Sequence, residues 1–215
     1  EGVDYRAVYD CTGSIEVDGM DFACSDGKAH GEVNMHTALR KSCNGYFVQL
    51  LEQIGPETVL QMVHALGFES PLELASGISS DAGTLPSTQT LQNARARANF
   101  SFGQGETTVS PLQLAAAVNA IAAGGVYTAP RLVYGYADTN LDIEEAEPHE
   151  GYKVMEVTTA NRLRAYMEST ARYGTAMRGA PQNCTSGIKT GTAQTGVYDE
   201  NGDEILNYWY AGYIC

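Results

Sequence analysis

Two stretches near one end of the chain, residues 188–195 and 205–214, constrain the fold most. Both are rich in β-branched and aromatic residues, which fit a pleated surface. Asn201-Gly202 stands between them, a dipeptide that tolerates the positive φ values of a tight hairpin turn. The pattern predicts two long antiparallel strands. Residues 208–214 (Tyr-Trp-Tyr-Ala-Gly-Tyr-Ile) are apolar at odd and even positions alike, so the second strand is expected to lie buried in a sheet covered on both faces.

The rest of the chain supplies helices for such a cover. Residues 1–31 are polar and glycine-containing and read as an extended or hairpin segment, with Asp18-Gly19 as a turn. Asn34 is placed to cap a helix over 35–41. A second helix over about 45–54 sets Phe47, Leu50, Leu51 and Ile54 on one face and stops at Gly55. Pro56 suits the first turn of a third, whose stripe is Val59, Val63 and Leu66 and whose end is Gly67. Periodicity is weak over 69–109, which predicts irregular loops with short helical pieces. Ser110, Pro111 and Gln113 then form the clearest helix start in the chain, a capping box with proline in the first position. Leu114, Val118 and Ile121 are expected to be its buried stripe, and Gly124-Gly125 its end. Residues 126–136 read as a strand region broken at Pro130, and the acidic stretch 138–150 as a solvated loop. A last helix from Thr158 or Thr159 to Gly174 carries Leu163, Tyr166, Met167 and Thr170 on one side.

With 43% hydrophobic and 18% charged residues over 215 positions, the chain is globular. Its net charge of −13, from 26 acidic and 13 basic residues, argues against nucleic acid and against direct binding to an anionic membrane surface. No apolar run approaches the roughly 20 residues of a membrane span, and no signal peptide is visible. Both ends read as cut, so an export or anchoring signal is expected outside these residues. The five cysteines include Cys11 and Cys24, which flank the Asp18-Gly19 turn. Simple cross-strand pairing sets Cys11 opposite position 26, so a disulfide between Cys11 and Cys24 needs a bulge; unbridged thiols are the alternative. Cys43, Cys184 and Cys215 lack a C-x-x-C spacing, and no metal or cofactor is expected.

Lys189-Thr190-Gly191-Thr192 falls on the first of the two strands. It offers a positive charge, hydroxyls beside it, and a glycine that lets another backbone approach. That suits an extended peptide ending in a carboxylate, added along the strand edge. Ser42-Cys43-Asn44 lies between two apolar helices, after His30-Gly31 and Ala38-Leu39. Phe102-Gly103-Gln104-Gly105 precedes Pro111-Leu112-Gln113-Leu114-Ala115, and Trp209-Tyr210-Ala211-Gly212-Tyr213 follows the lysine strand. In this order, from about His30 to Tyr213, the set resembles the transpeptidase domain of penicillin-binding proteins, the class B cell-wall D,D-transpeptidase branch in particular.

The resemblance implies an α+β fold of the penicillin-binding and serine β-lactamase type: a mainly helical lobe over 32–125, and an antiparallel sheet covered by helices drawing on 1–31 and 126–215, with the site in the cleft. It implies serine acyl-enzyme chemistry on the D-Ala-D-Ala end of a peptidoglycan stem peptide, β-lactams as mimics of that end, and a place on the extracytoplasmic face of a bacterial membrane, in cell division or cell shape. Carried over, Ser42 relays a proton, Asn44 binds the substrate amide, and Lys189 assists Ser42 and attracts the terminal carboxylate. Thr190 and Thr192 bind that carboxylate and Gly191 permits close approach. The Ser-x-x-Lys that holds the family's nucleophile is not found. Ser25-Asp26-Gly27-Lys28 lies too near Ser42 in polar sequence without a helical stripe. Ser186-Gly187-Ile188-Lys189 overlaps the lysine strand. The nucleophile is therefore expected outside this chain, which by itself is expected to be inactive, with an incomplete sheet whose exposed edges favour self-association. A D,D-carboxypeptidase or β-lactamase of the same fold, and a non-catalytic module that senses wall peptide, are the competing readings. None of His30, His36, His64 and His149 is assigned catalysis; His64 reads as partly buried and His30 as an anchor of the loop before the first helix.

Overall fold

The computed structural model describes residues 3–25 and 27–215. Strands come first. β1 (Tyr9–Cys11) and β4 (Gly31–Val33) pair antiparallel with Cys11 opposite Gly31, and between them β2 (Ser14–Val17) and β3 (Met20–Ala23) form a hairpin. Its turn is Asp18-Gly19, with φ values of 50° and 74°, the positive pair that a two-residue hairpin requires. Position 26, the cross-strand partner expected for Cys11, lies outside the described residues; Cys11 closes β1 and pairs with Gly31.

α1 (Met35–Lys41) begins where its cap predicts. Asn34 Oδ1 accepts from the Thr37 N–H at 3.1 Å, and Thr37 Oγ1 accepts from the Asn34 N–H at 2.9 Å. α2 (Asn44–Ile54) and α3 (Pro56–Ala65) follow, parted by Gly55. The weakly periodic stretch holds a small hairpin, β5 (Glu73–Ala75) with β6 (Ile78–Ser79). It also holds a full helix, α4 (Ala94–Ser101), started by the Asn93 side chain accepting from the Arg95 and Ala96 N–H groups. Leu51, Leu60, Leu91 and Phe100 make a common buried cluster among these helices; each such side chain contributes about 1.5–3 kcal/mol on burial.

α5 (Pro111–Ala122) has the predicted capping box, with Ser110 and Gln113 bonding reciprocally. Its buried face differs from the Leu114, Val118 and Ile121 stripe. Gln113, Ala116, Ala117, Val118 and Ala120 are buried, while Leu114 and Ile121 are only partly so. Small side chains on this face let the helix lie close to its neighbours. Gln113 is fully buried. Besides the cap, its Nε2 donates to the carbonyls of Gly67 and Ser70, both at 3.1 Å.

β7 (Val126–Tyr127) pairs with β10 (Tyr152–Lys153), and β8 (Gly135–Ala137) with β9 (Ile143–Glu145). The acidic stretch is thus not all loop: β9 lies within it, although its side chains are exposed as expected. α6 (Val157–Tyr173) starts a residue or two before the expected threonines, with Glu156 in the N-cap position but making no side-chain cap bond, and buries Ala160, Met167, Thr170 and Ala171.

α6 packs on β11 (Ser186–Tyr198), and α5 on β12 (Glu204–Ile214). β11 and β12 form the predicted long hairpin, in register from Ser186 opposite Ile214 to Gln194 opposite Leu206. Its turn is braced by Asp199 Oδ1, which accepts from the Asn201 and Asp203 N–H groups. One expectation fails here. β12 is covered on a single face: Tyr208, Tyr210 and Ile214 are 78%, 51% and 69% exposed, and alternate with the partly buried Trp209, Ala211 and Tyr213. Aromatic strand residues fit a half-buried surface as readily as a buried one, so an apolar run does not reveal how many layers cover it.

Candidate active site

The junction between α1 and α2 is two residues long. It reverses the chain because Ser42 takes the left-handed conformation, φ 54° and ψ 51°, with its N–H and that of Cys43 bonded to the Leu39 and Ala38 carbonyls. For a residue with a Cβ this costs about 1–2 kcal/mol, and the surroundings must hold it. Cys43 points into the core and is fully buried. Asn44 Nδ2 donates to the Ala23 carbonyl at 2.8 Å, which ties the start of α2 to the β2–β3 hairpin.

Lys189 reaches this junction from β11, 147 positions away in sequence. Its Nζ donates to Ser42 Oγ at 2.6 Å and to the Thr190 carbonyl at 2.7 Å. Burial pushes the ammonium down from its ordinary 10.5 to about 8, because a low-dielectric setting disfavours the charged form. At neutral pH about a tenth of the lysines are then neutral and able to accept a proton.

Thr175 completes the cluster, and the sequence offered no sign of it. Its Oγ1 accepts from Thr190 Oγ1 at 2.8 Å and lies 3.4 Å from Ser42 Oγ. Thr175 follows Gly174, where α6 ends against the end of α1. A Cβ at Gly174 would meet the Arg40 carbonyl oxygen at 2.6 Å and Thr170 Cα at 2.9 Å, so only glycine allows this approach. Farther along β11, the Thr192 carbonyl accepts weakly from Gln104 Nε2 at 3.4 Å. Gly191 and Thr192 are exposed. A Cβ at Gly191 would meet only Trp209 Cβ, at 3.5 Å. Packing does not require glycine at 191, in contrast to 174.

The two Ser-x-x-Lys matches stay apart from this cluster. Ser186 and Lys189 are three apart on β11 and so point to opposite faces. Ser25 is exposed, and Asp26 of its pattern lies outside the described residues. His36 stacks on Tyr166, and His64 faces Glu69 at 3.6 Å with its side chain 53% exposed, not partly buried as expected. Cys11 and Cys24 are free thiols with sulfurs 3.7 Å apart, and Cys43 Sγ stands 4.0 Å from Cys24 Sγ.

A family model described as the penicillin binding protein transpeptidase domain matches residues 6–215. The chain belongs to the penicillin-binding protein transpeptidase family. It is 29% identical over 196 residues to stage V sporulation protein D of Bacillus subtilis, covering 88% of this chain and 30% of that protein. It is 28% identical over 182 residues to the peptidoglycan D,D-transpeptidase PbpA of Mycolicibacterium smegmatis, covering 84% of this chain and 36% of that protein. Among solved structures, the D,D-transpeptidase domain of a peptidoglycan glycosyltransferase from Eggerthella lenta superposes with a TM-score of 0.86 at 21% identity, over 99% of this chain and 52% of that one. Penicillin-binding protein A of M. tuberculosis, solved as an imipenem acyl-enzyme complex, gives 0.85 at 22% identity, over 99% and 48%. The chain thus spans about a third of these curated relatives and about half of these solved chains. The structural likeness agrees with the α+β, penicillin-binding type of fold.

Proposed function

We propose that this chain is the part of a peptidoglycan D,D-transpeptidase that binds and activates the stem peptide for serine acyl transfer. The observation that carries the reading is the 2.6 Å contact between Lys189 Nζ and Ser42 Oγ, a half-buried lysine on a hydroxyl beside an exposed strand edge. Lys189, with its lowered affinity for the proton, exchanges one with Ser42, which relays it to the leaving nitrogen. Asn44 binds the substrate backbone amide through Oδ1, its Nδ2 being committed to Ala23. Thr190 and Thr192 hold the terminal carboxylate, which the charge of Lys189 attracts, and Gly191 leaves room for the peptide to lie along β11. Thr175 joins them as the residue that orients the Thr190 hydroxyl.

On this reading the helical part, 32–125, and the parts 1–31 and 126–215 face each other across the groove. The nucleophilic serine comes from a Ser-x-x-Lys segment of the parent protein outside this chain. The enzyme then acts on the extracytoplasmic side of the membrane and is a β-lactam target, as the acyl-enzyme complexes of its relatives support. The exposed face and edge of β12 favour self-association when the chain stands alone.

The test is covalent labelling by a fluorescent penicillin. The parent protein acquires a label that survives denaturation, and Lys189→Ala slows its formation by about a hundredfold or more, as expected for loss of a proton-transfer group. The 215-residue chain acquires none. Labelling of the short chain would mean that the nucleophile lies within it; a parent that is never labelled would favour the wall-peptide sensor.

A further inference from the structure

Directly behind Ser42, three cysteines and a histidine converge from four separate segments. Cys11 closes β1, Cys24 follows β3, His30 precedes β4, and Cys43 stands at the head of α2. Their four ligand atoms all lie within 4.8 Å of one another. Cys11 Sγ is 3.7 Å from Cys24 Sγ and 3.5 Å from His30 Nδ1, and Cys24 Sγ is 4.0 Å from Cys43 Sγ. A tetrahedron with Zn–S bonds of about 2.3 Å and a Zn–N bond of about 2.0–2.1 Å has S···S edges of about 3.8 Å and S···N edges of about 3.5 Å. Disulfide sulfurs would stand about 2.05 Å apart.

We propose that Cys11, Cys24, His30 and Cys43 form a closed, four-ligand zinc site that pins the Ser42-Cys43-Asn44 junction to the N-terminal strands. The expectation of no metal rested on the missing C-x-x-C spacing; here the pairing of β1 with β4 and the β2–β3 hairpin supply the proximity instead. Buried cysteines also occur as plain core residues, but an apolar core does not set an imidazole nitrogen against a sulfur. Cys43 is the N-cap residue of α2, and Cys24 Sγ lies 4.0 Å from its sulfur, so the positive end of that helix favours both as thiolates. Lys41 Nζ donates to the His30 carbonyl at 2.8 Å, placing a cation beside a centre whose net charge, three thiolates and one dication, is −1. Three soft sulfurs and one imidazole select zinc over magnesium or calcium. Four protein ligands leave no open position, so the role is structural. On binding, each thiol loses its proton to solvent as its sulfur lone pair forms the metal bond.

The site stands whatever the chain's activity; its effect on acylation rests on the reading proposed above. The parent protein, purified without chelator, is expected to hold about one zinc per chain by elemental analysis. Cys184→Ser with Cys215→Ser, both outside the cluster, keeps it, and Cys24→Ser loses most of it. Because Cys24→Ser disturbs a buried position, wild-type protein is also stripped and reloaded with Co²⁺. Thiolate-to-cobalt charge-transfer absorption and intense tetrahedral d–d bands are expected, and Zn²⁺ abolishes them. Metal-free native protein that takes up neither Zn²⁺ nor Co²⁺, or a Cys11–Cys24 disulfide found by mass mapping, overturns the site. Stripping is expected to lower the melting temperature and to slow penicillin labelling at least tenfold, both restored by Zn²⁺. Zinc that binds while labelling stays unchanged overturns the pinning role and leaves the site; a parent never labelled, with or without zinc, counts against the proposed function alone.

Discussion

Lys189→Met is the most informative substitution, because it removes a charge that the fold has to desolvate. The drop from 10.5 to about 8 corresponds to about 3 kcal/mol at 1.36 kcal/mol per unit. Below pH 8 both folded and unfolded chains carry the lysine proton, and the folded state bears the whole penalty. Between pH 8 and 10.5 the unfolded chain keeps the proton that the folded chain has released. The unfolded state then binds more protons, so stability rises with pH. Tyr46 and Tyr213, and the thiols Cys24 and Cys43, are pushed up chiefly by burial and act in the opposite sense from about their ordinary 10 and 9, so the lysine's share is read as the difference between wild type and Lys189→Met, in which they cancel. Urea unfolding followed by Trp209 fluorescence, in half-unit steps from about pH 7 to 10, measures it. Wild type is expected to gain about 2–3 kcal/mol relative to Lys189→Met across this range. At pH 7 the variant's relief from the penalty is set against the loss of two charge-assisted hydrogen bonds, worth about 1.5–3 kcal/mol each, so the variant should lie between equal stability and about 3 kcal/mol below wild type there. Parallel pH profiles would refute the claim that Lys189 is a half-buried, proton-poor lysine.

Gly191→Ala should leave the melting temperature within a degree or two, about 0.5 kcal/mol, while slowing penicillin labelling of the parent protein; a variant labelled at the wild-type rate would show that nothing approaches Gly191. Gly174→Ala should cost about 2–3 kcal/mol in urea unfolding, since the Arg40 carbonyl must retreat; an unchanged midpoint would contradict the close approach of α6 to α1. Gln113→Ala leaves the Ser110 N–H and two carbonyls without their partner and should lose about 3 kcal/mol, more than a cap alone. Asn34→Ala, which removes only a cap, should lose about 1 kcal/mol.

Chemistry acting within a few residues was readable directly from the chain. Asn34, Ser110 with Pro111, Asp18-Gly19 and Asn201-Gly202 each satisfy or bend the backbone locally, so helix starts and hairpin turns appear where these residues stand. The Ser42-Cys43-Asn44 and Lys189 stretches were also visible as patterns, and the fold brings Ser42 and Lys189 into contact. Tertiary structure decided the remainder. It brought Thr175 beside Ser42, chose the alanine face of α5, left one side of β12 bare, and gathered Cys11, Cys24, His30 and Cys43 into one cluster. The reason is that caps and turns draw their free energy from neighbours in sequence, whereas these features depend on which elements pack together. Nothing in the spacing of 11, 24, 30 and 43 encodes a tetrahedron until β1 lies against β4 and α2 starts beside them.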